Sequence, residues 1–136
     1  DTGIWRARLA MNFISGEVLL EALENQRLGQ GCLGRACHFA RELLLQLAPA
    51  MQRVSGRVYH RDAHARNVLV EERGGHPCFG LIDFGLAVDA EAWRGGAWRG
   101  RGVAGDSRYW PVSEWLMFEQ EAKGLAAQPE LLLEYT

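Results

Sequence analysis

The chain has 136 residues, 48% of them hydrophobic and 24% charged, which is the composition of one globular domain. Its formal net charge of −2 argues against nucleic acid as the main partner, and it has no run of about eighteen apolar residues that would span a membrane. Three cysteines without metal-ligand spacing predict free core thiols in a reducing, intracellular compartment, either cytoplasmic or nuclear: Cys32, Cys37 and Cys78.

Two helical stretches are predicted in the first half of the chain. The first covers residues 21–28, and residues 29–34 then match the pattern G-x-G-x-x-G. That pattern cradles phosphate only next to a strand, so after a helical stretch it predicts a plain loop between helices. Residues 36–54 repeat apolar side chains at helical spacing and predict a scaffold helix of about five turns. Because proline lacks a backbone N–H, Pro49 predicts a kink or break near residue 48.

The most informative feature is the run His-Arg-Asp-Ala-His-Ala-Arg-Asn at residues 60–67, followed by Asp-Phe-Gly at residues 83–85. Asp62 can accept a hydroxyl proton, while the amide of Asn67 and the carboxylate of Asp83 can hold Mg²⁺ on a nucleotide. Oxygen ligands of this kind are what a hard cation requires. The conjunction predicts phosphoryl transfer; the alternative is a hairpin with ordinary surface Asp and Asn residues.

The residues between the two motifs predict a β-hairpin. Residues 68–70 and 78–82 are apolar and read as strands, and residues 71–77 carry the Gly and Pro typical of a turn. Since Asn67 would enter the first strand and Asp83 would leave the second, the hairpin should bring both side chains to one metal–phosphate cluster.

Tryptophan, arginine and glycine alternate between residues 93 and 102. Aromatic and basic side chains interleaved in this way could bind an acidic or nucleic-acid partner. The favoured interpretation is that the two indoles pin a glycine-rich loop to the protein while the arginines stay in water.

The order of these motifs resembles the large lobe of a eukaryotic protein kinase, over roughly residues 8–118. The resemblance implies an incomplete α+β, protein-kinase-like fold with a hinge strand, a mainly helical lower lobe and a hairpin that carries the catalytic loop. Its parts would be the hinge (about 8–17), the helical scaffold (about 18–56), the catalytic loop (60–67) and the activation segment (83–114). Because no glycine-rich loop or strand lysine of that family is found, we expect residues 1–136 to be part of a longer protein and inactive alone.

The same resemblance implies ATP and Mg²⁺ as cofactors and assigns roles to further residues. Asp62 would be the catalytic base, and Asn67 and Asp83 the magnesium ligands. Upstream, residues 8–19 look like the strand, hinge and short helix of a nucleotide pocket. There Met11 would be the gatekeeper, the backbone of Asn12, Phe13 and Ile14 would meet adenine, Glu17 would contact ribose, and Leu69 would close the adenine slot.

Residues Gly105 to Tyr109 resemble the substrate-binding loop of protein kinases and imply a protein substrate. Two residues depart from the protein-kinase pattern: Asp106 stands where that family has a threonine, and His64 where it has a lysine. Asp106 opposite His64 would form a charge-assisted pair; the alternative is two unrelated changes. Residues 111–114 stand where the family has Ala-Pro-Glu.

The activation segment has no Ser, Thr or Tyr between Leu86 and Asp106. The phosphate that Arg61 would bind in protein kinases therefore has no acceptor there. Asp89 or Glu91 could replace it and keep the segment ordered, or both acids are simply solvated.

His64 separates the leading hypotheses. His60, Asp62, His64 and Asn67 also satisfy the pattern His-x-Asp-x-His-x-x-Asn of aminoglycoside- and choline-kinase-like enzymes, whose acceptors are small molecules. Arg61 and the loop from Gly105 favour a protein kinase, which is our prediction. A small-molecule kinase and a catalytically silent kinase-like scaffold remain the alternatives.

Overall fold

The computed structural model describes residues 13–25, 33–125 and 129–134. Helices and antiparallel strands alternate along the chain, which confirms the α+β prediction. The strands are β1 (Glu17–Val18), β2 (Val58–Tyr59), β3 (Val68–Arg73), β4 (His76–Leu81) and β5 (Val88–Asp89). The helices are α1 (Leu19–Glu24), α2 (Leu33–Ser55), α3 (Ala90–Arg94), α4 (Val112–Leu125) and α5 (Pro129–Glu134), with 3₁₀ turns at Ala65–Asn67, Ala97–Gly100 and Ser107–Tyr109.

Strands β3 and β4 form a hairpin within a three-stranded sheet in the order β1–β3–β4, with β3 in the centre, while β2 and β5 form a separate pair. The register of the hairpin places Val68 opposite Leu81 and Arg73 opposite His76. The turn is only Gly74–Gly75, with φ of 58° and 81°, the left-handed backbone that a two-residue hairpin turn requires. The predicted turn over residues 71–77 was therefore too long, because two glycines suffice and the charged residues before them stay in the ladder.

Helix α2 continues through Pro49, so of the predicted kink or break the break does not occur. Packing explains the difference: Phe39 meets Phe79 of β4 edge to face at 4.9 Å, and Leu43 and Leu47 pack on the same cluster. Tertiary burial of an amphipathic face contributes more to helix stability than local propensity does, so it offsets the hydrogen bond lost at the proline.

The side chain of Gln46 joins α2 to the outer strand β4. Its Nε2 donates to the carbonyl of Pro77 at 2.9 Å, and the N–H of Phe79 donates to its Oε1 at 3.0 Å. One amide thus satisfies two backbone groups on the side of β4 that faces away from β3.

Two hydrophobic clusters hold the described residues together. The sheet core, between the three-stranded sheet and helices α1 and α2, contains Leu19, Ala22, Phe39, Val68 and Val70. The tryptophan core, beneath the activation segment, contains Val88, Trp93, Trp98, Met117 and Leu132. Both indoles are at most 2% exposed, while the neighbouring arginines Arg94, Arg99 and Arg101 are exposed, as the favoured interpretation of the repeat predicts.

Some sequence predictions fall outside the described residues or fail within them. Met11, Asn12, Cys32 and most of the loop over residues 29–34 lie outside. Helix α1 begins two residues earlier than predicted. Cys37 is exposed and Cys78 half-buried, both as free thiols, so the prediction of a core thiol was wrong for Cys37. Among the described helices, none is long and apolar enough to cross a membrane.

Candidate active site

The backbone is unusual at two places in this region. Arg61 (φ 65°) and Asp83 (φ 59°) are the non-glycine residues with positive φ within the described ranges. Such a conformation is uncommon for residues with a Cβ, and the surrounding structure must hold it in place. Each lies in one of the two motifs, so the strained positions and the candidate chemistry coincide.

His60 ties the two motifs together. Its side chain is buried at 6% exposure, and its Nε2 lies 3.0 Å from the carbonyl oxygen of Ile82, the residue before Asp83. The N–H of Asp62 donates to the other ring nitrogen, Nδ1, at 3.3 Å. These partners place the proton of the neutral ring on Nε2, which donates to Ile82. A second bond, from the N–H of Ile82 to the carbonyl of Asn67 at 2.9 Å, closes the link.

The carboxylate of Asp62 lies among three nitrogen atoms. Its Oδ2 accepts from Nδ2 of Asn67 at 3.0 Å, and its Oδ1 accepts from the N–H of Asp106 at 3.2 Å. Nε2 of His64 is 3.3 Å from the same Oδ1. Because these contacts hold both carboxylate oxygens, the side chain keeps a defined orientation at the centre of the site.

Asn67 is oriented so that its amide oxygen is available to a cation. Both bonds of its Nδ2 go to Asp62, one to Oδ2 and one to the backbone carbonyl at 2.9 Å. Among the described residues, no donor reaches its Oδ1. The side chain is 8% exposed, so it has little freedom to turn the amide over.

Asp83 supplies the second oxygen group expected for a cation. Its Oδ1 accepts from the N–H of Gly85 at 3.0 Å, and no donor in the described part of the chain reaches Oδ2. An amide oxygen with an exposed carboxylate fits the oxygen preference of Mg²⁺. The described residues contain no cluster of three or more His, Cys, Asp or Glu side chains. Phosphate and water would therefore complete the coordination, as is usual for this ion.

Two of the predicted nucleotide residues, Ile14 and Leu69, lie on one face of the sheet. Val68 and Val70 point into the sheet core, so Leu69 points to the opposite face, where Gly80 is its partner across β3 and β4. Ile14 covers this position, since a Cβ on Gly80 would lie 3.1 Å from its Cγ2. The neighbouring residue Phe13 is 91% exposed. Glu17 lies opposite Val70, so its side chain is on the core face and not on the face of Leu69, and the structure does not bring it together with Ile14 and Leu69.

The predicted pairing of His64 with Asp106 is wrong. His64 lies against Asp62, and its Nδ1 accepts from the N–H of Arg66 at 3.1 Å. Asp106 instead binds Arg108, which donates through Nε and Nη2 as well as its backbone N–H. These hydrogen bonds, followed by the charge of Arg108 and then that of His64, lower the pKa of Asp106 from 3.8 to about 2. Arg108, two residues further along the chain, therefore occupies the position beside the Asp106 carboxylate that His64 was predicted to hold.

The partner of Arg61 is neither Asp89 nor Glu91. Asp89 accepts from the N–H of Ala92 at 2.7 Å and caps α3, and Glu91 is exposed. Nε of Arg61 lies 2.7 Å from Oε1 of Glu114, with side-chain exposures of 7% and 3%. Of the two alternatives, pairing of Asp89 or Glu91 with Arg61 is therefore wrong, and both acids are exposed, as the other alternative predicts.

The ion pair of Arg61 and Glu114 organises the end of the activation segment. Nη2 of Arg61 donates to the carbonyl of Gly102 at 2.8 Å, and the N–H of Ala104 donates to Oε2 of Glu114 at 3.1 Å. The guanidinium also lies 4.6 Å from the ring of Trp93. Glu114 was missed as a site residue, although its position in the stretch compared with Ala-Pro-Glu was a usable signal.

Gly105 lets this segment approach the catalytic loop. Its φ is 78°, and a Cβ there would lie 2.5 Å from the carbonyl oxygen of Arg61 and 2.8 Å from Oδ1 of Asp62. No side chain fits in that space. Further along, the ring of Tyr109 is 5.3 Å from that of His64. The loop compared with a substrate-binding loop therefore lies directly on the Asp62 carboxylate.

Comparison with known protein families shows which family the chain belongs to. Residues 1–112 match the model of the phosphotransferase enzyme family. The chain belongs to this family. The family is part of the protein-kinase-like superfamily, so the predicted resemblance is confirmed at that level, and the activity expected of this phosphotransferase is phosphoryl transfer. No curated protein and no solved structure matches the chain.

Proposed function

We propose that this phosphotransferase moves the γ-phosphoryl group of Mg²⁺-bound ATP to a hydroxyl group of a protein, with Asp62 as the catalytic base. The hydroxyl proton goes to Asp62, the oxygen forms a bond to phosphorus, and the bond from phosphorus to the ADP oxygen breaks. The observation that carries this proposal is the position of the Asp62 carboxylate, fixed by Asn67, His64 and the backbone of Asp106.

The remaining residues hold the nucleotide. Asn67 and Asp83 would bind magnesium through their available oxygens, and Ile14 and Leu69 lie on the side of the sheet where the adenosine would lie. Bound Mg²⁺ neutralises charge on the phosphates, which is the main requirement of this reaction. His60 keeps the base and the metal ligands at a constant separation, because it bonds to the backbone next to each of them.

A protein acceptor is supported by the segment that covers Asp62. The loop from Gly105 to Tyr109 donates a backbone hydrogen bond to the base at 3.2 Å, so whatever reaches the base also meets this loop. Arg99 and Arg101, both exposed, precede it. Cationic acceptors such as aminoglycosides or choline would be repelled by these charges.

A small-molecule acceptor is the second candidate. It is favoured by His64, whose contact with Asp62 completes the pattern His-x-Asp-x-His-x-x-Asn. The two candidates share the base and the metal ligands, and they differ in the acceptor alone.

The base is tested with Asp62→Asn in the intact parent protein, with Asp89→Asn as the matched control because asparagine still caps a helix. We expect phosphoryl transfer to fall about 10²- to 10⁴-fold for Asp62→Asn, the usual contribution of a general base, with ATP affinity nearly unchanged. Transfer at the parental rate would show that Asp62 is not the base.

The acceptor is tested by supplying labelled ATP with a mixture of peptides containing Ser, Thr and Tyr, and separately with aminoglycosides and choline. Label found in peptide supports the proposed function. Label found only in a small molecule would replace it with the second candidate.

A further inference from the structure

One stretch within the activation segment, residues 92–105, is basic in a chain that is acidic as a whole. Residues 92–105 contain three arginines, Arg94, Arg99 and Arg101, and no Asp or Glu, whereas the formal net charge of the chain is −2. A local excess of one charge beside a reaction site concentrates ligands of the opposite charge.

The guanidinium groups of Arg99 and Arg101 are available for an external partner. Both residues are exposed, and within the described residues no carboxylate forms an ion pair with either. The other arginines of the region are occupied, since Arg61 binds Glu114 and Arg108 binds Asp106. Arg66, on the catalytic loop, is likewise exposed and has no carboxylate partner in that part of the chain.

The backbone that carries Arg99 and Arg101 is held to the rest of the protein by buried contacts. Arg99 stacks on the indole of Trp98 at 4.6 Å, and Trp98 itself is 1% exposed in the tryptophan core. Arg101 directly precedes Gly102, whose carbonyl accepts from Arg61. Three residues later Gly105 lies against Asp62. Arg99 and Arg101 thus precede, by six and four residues, the glycine that lies against the catalytic base.

We propose that the acceptor is an acidic protein segment, with Asp or Glu residues close to the hydroxyl that receives the phosphoryl group. Arg99 and Arg101 bind these carboxylates and set the specificity of the reaction. The inference rests on the proposed function, because it requires a protein acceptor. Arginine suits this role, since its planar fork donates two parallel hydrogen bonds to a carboxylate.

The test compares two synthetic peptides that share a central Ser, Thr or Tyr and differ only in their flanks, Asp-rich in one and Lys-rich in the other. With the intact parent protein we expect kcat/KM to be at least about tenfold higher for the acidic peptide, and this preference to weaken as salt is raised. The double variant Arg99→Glu/Arg101→Glu should remove the preference. Arg99→Gln/Arg101→Gln should reduce it part-way, with ATP affinity unchanged in both.

The matched control is Arg35→Glu/Arg41→Glu, an equal change of charge on exposed positions of α2, which should leave the preference intact. Phosphorylation of both peptides at equal rates, or a preference that survives Arg99→Glu/Arg101→Glu, overturns the acidic acceptor and leaves the proposed function standing. Label on neither peptide but on a small molecule overturns both. Competition by a single-stranded oligonucleotide that the glutamate variant abolishes assigns the arginines to nucleic acid and also overturns the inference.

Discussion

Two ion pairs of nearly equal length occur in very different surroundings. On the hairpin, Arg73 and Glu71 are 2.6 Å apart with side-chain exposures of 64% and 32%. Beneath the activation segment, Arg61 and Glu114 are 2.7 Å apart with exposures of 7% and 3%. The first pair is screened by water, whereas the second is removed from water, so that losing one member leaves a buried charge without its counter-ion.

The difference shows how the two halves of the site are stabilised. The hairpin is a regular backbone ladder packed on the sheet core, and Asn67 and Asp83 lie just outside its two ends, so their position does not depend on the hairpin's ion pair. The segment carries Gly105 and Asp106 on irregular backbone, and its position rests on the buried pair and on two tryptophans. We therefore infer that the metal side of the site is robust and that the acceptor side is sensitive to single substitutions.

Removing one carboxylate from each pair tests this contrast most strongly. Glu114→Ala should destabilise the protein by about 3–5 kcal/mol, because it leaves Arg61 buried and unpaired. Glu71→Ala, the matched control on the hairpin, should change the stability far less, because its ion pair is exposed to water. Urea unfolding of the intact parent measures both. Equal losses for the two variants would remove the contrast between the halves.

Gly105→Ala is expected to reduce kcat by about 10²-fold, since a methyl group there would displace the carboxylate of Asp62 and small misplacements of catalytic groups have effects of that size. Gly102→Ala is the control, because a Cβ on Gly102 would have no atom within 4 Å. Steady-state kinetics of both variants measure the change in kcat. A fully active Gly105→Ala would mean that the segment does not position the base.

Asp83→Asn should weaken Mg²⁺-ATP binding by about tenfold or more, because a full negative charge on a hard cation is lost while asparagine still tolerates positive φ. Asn67→Ala should weaken it less. Isothermal calorimetry measures both, with Glu72→Ala, at an exposed hairpin residue, as control. An unchanged affinity for Asp83→Asn would contradict its role as a metal ligand.

The smallest effect is expected at Asp106. Its pKa of about 2 lies below the ordinary 3.8, so the contribution of its carboxylate is complete above pH 3.8 and is lost as the pH falls toward 2. Arg108→Ala removes the main cause and should return the pKa toward 3.8, so that the loss begins at higher pH. An NMR titration of the Asp106 carboxyl carbon measures the shift. A titration unaltered by Arg108→Ala would disprove the cause.

The sequence predicted the structure correctly where the motif residues and the apolar pattern between them indicate the same hairpin. The spacing of Asp62, Asn67 and Asp83 and the apolar runs between them predicted a hairpin that brings both motifs together, and the structure has that hairpin. Partners of charged side chains were not predictable. Arg61 finds Glu114 at a separation of 53 residues, which depends on how the segment folds back over Trp93. His64 was assigned the wrong carboxylate, because local pairing of Asp106 with Arg108 prevailed.

The side chain of Gln46 has a consequence for how molecules of this protein meet one another. In the order β1–β3–β4, strand β4 has a neighbour on one side only among the described strands. An exposed strand edge is a template for pairing with another chain, and proteins suppress this by capping or interrupting the edge. Gln46 occupies the carbonyl of Pro77 and the N–H of Phe79, and Pro77 itself has no N–H to donate. One glutamine thereby protects the sheet that carries the metal ligands from edge-to-edge aggregation.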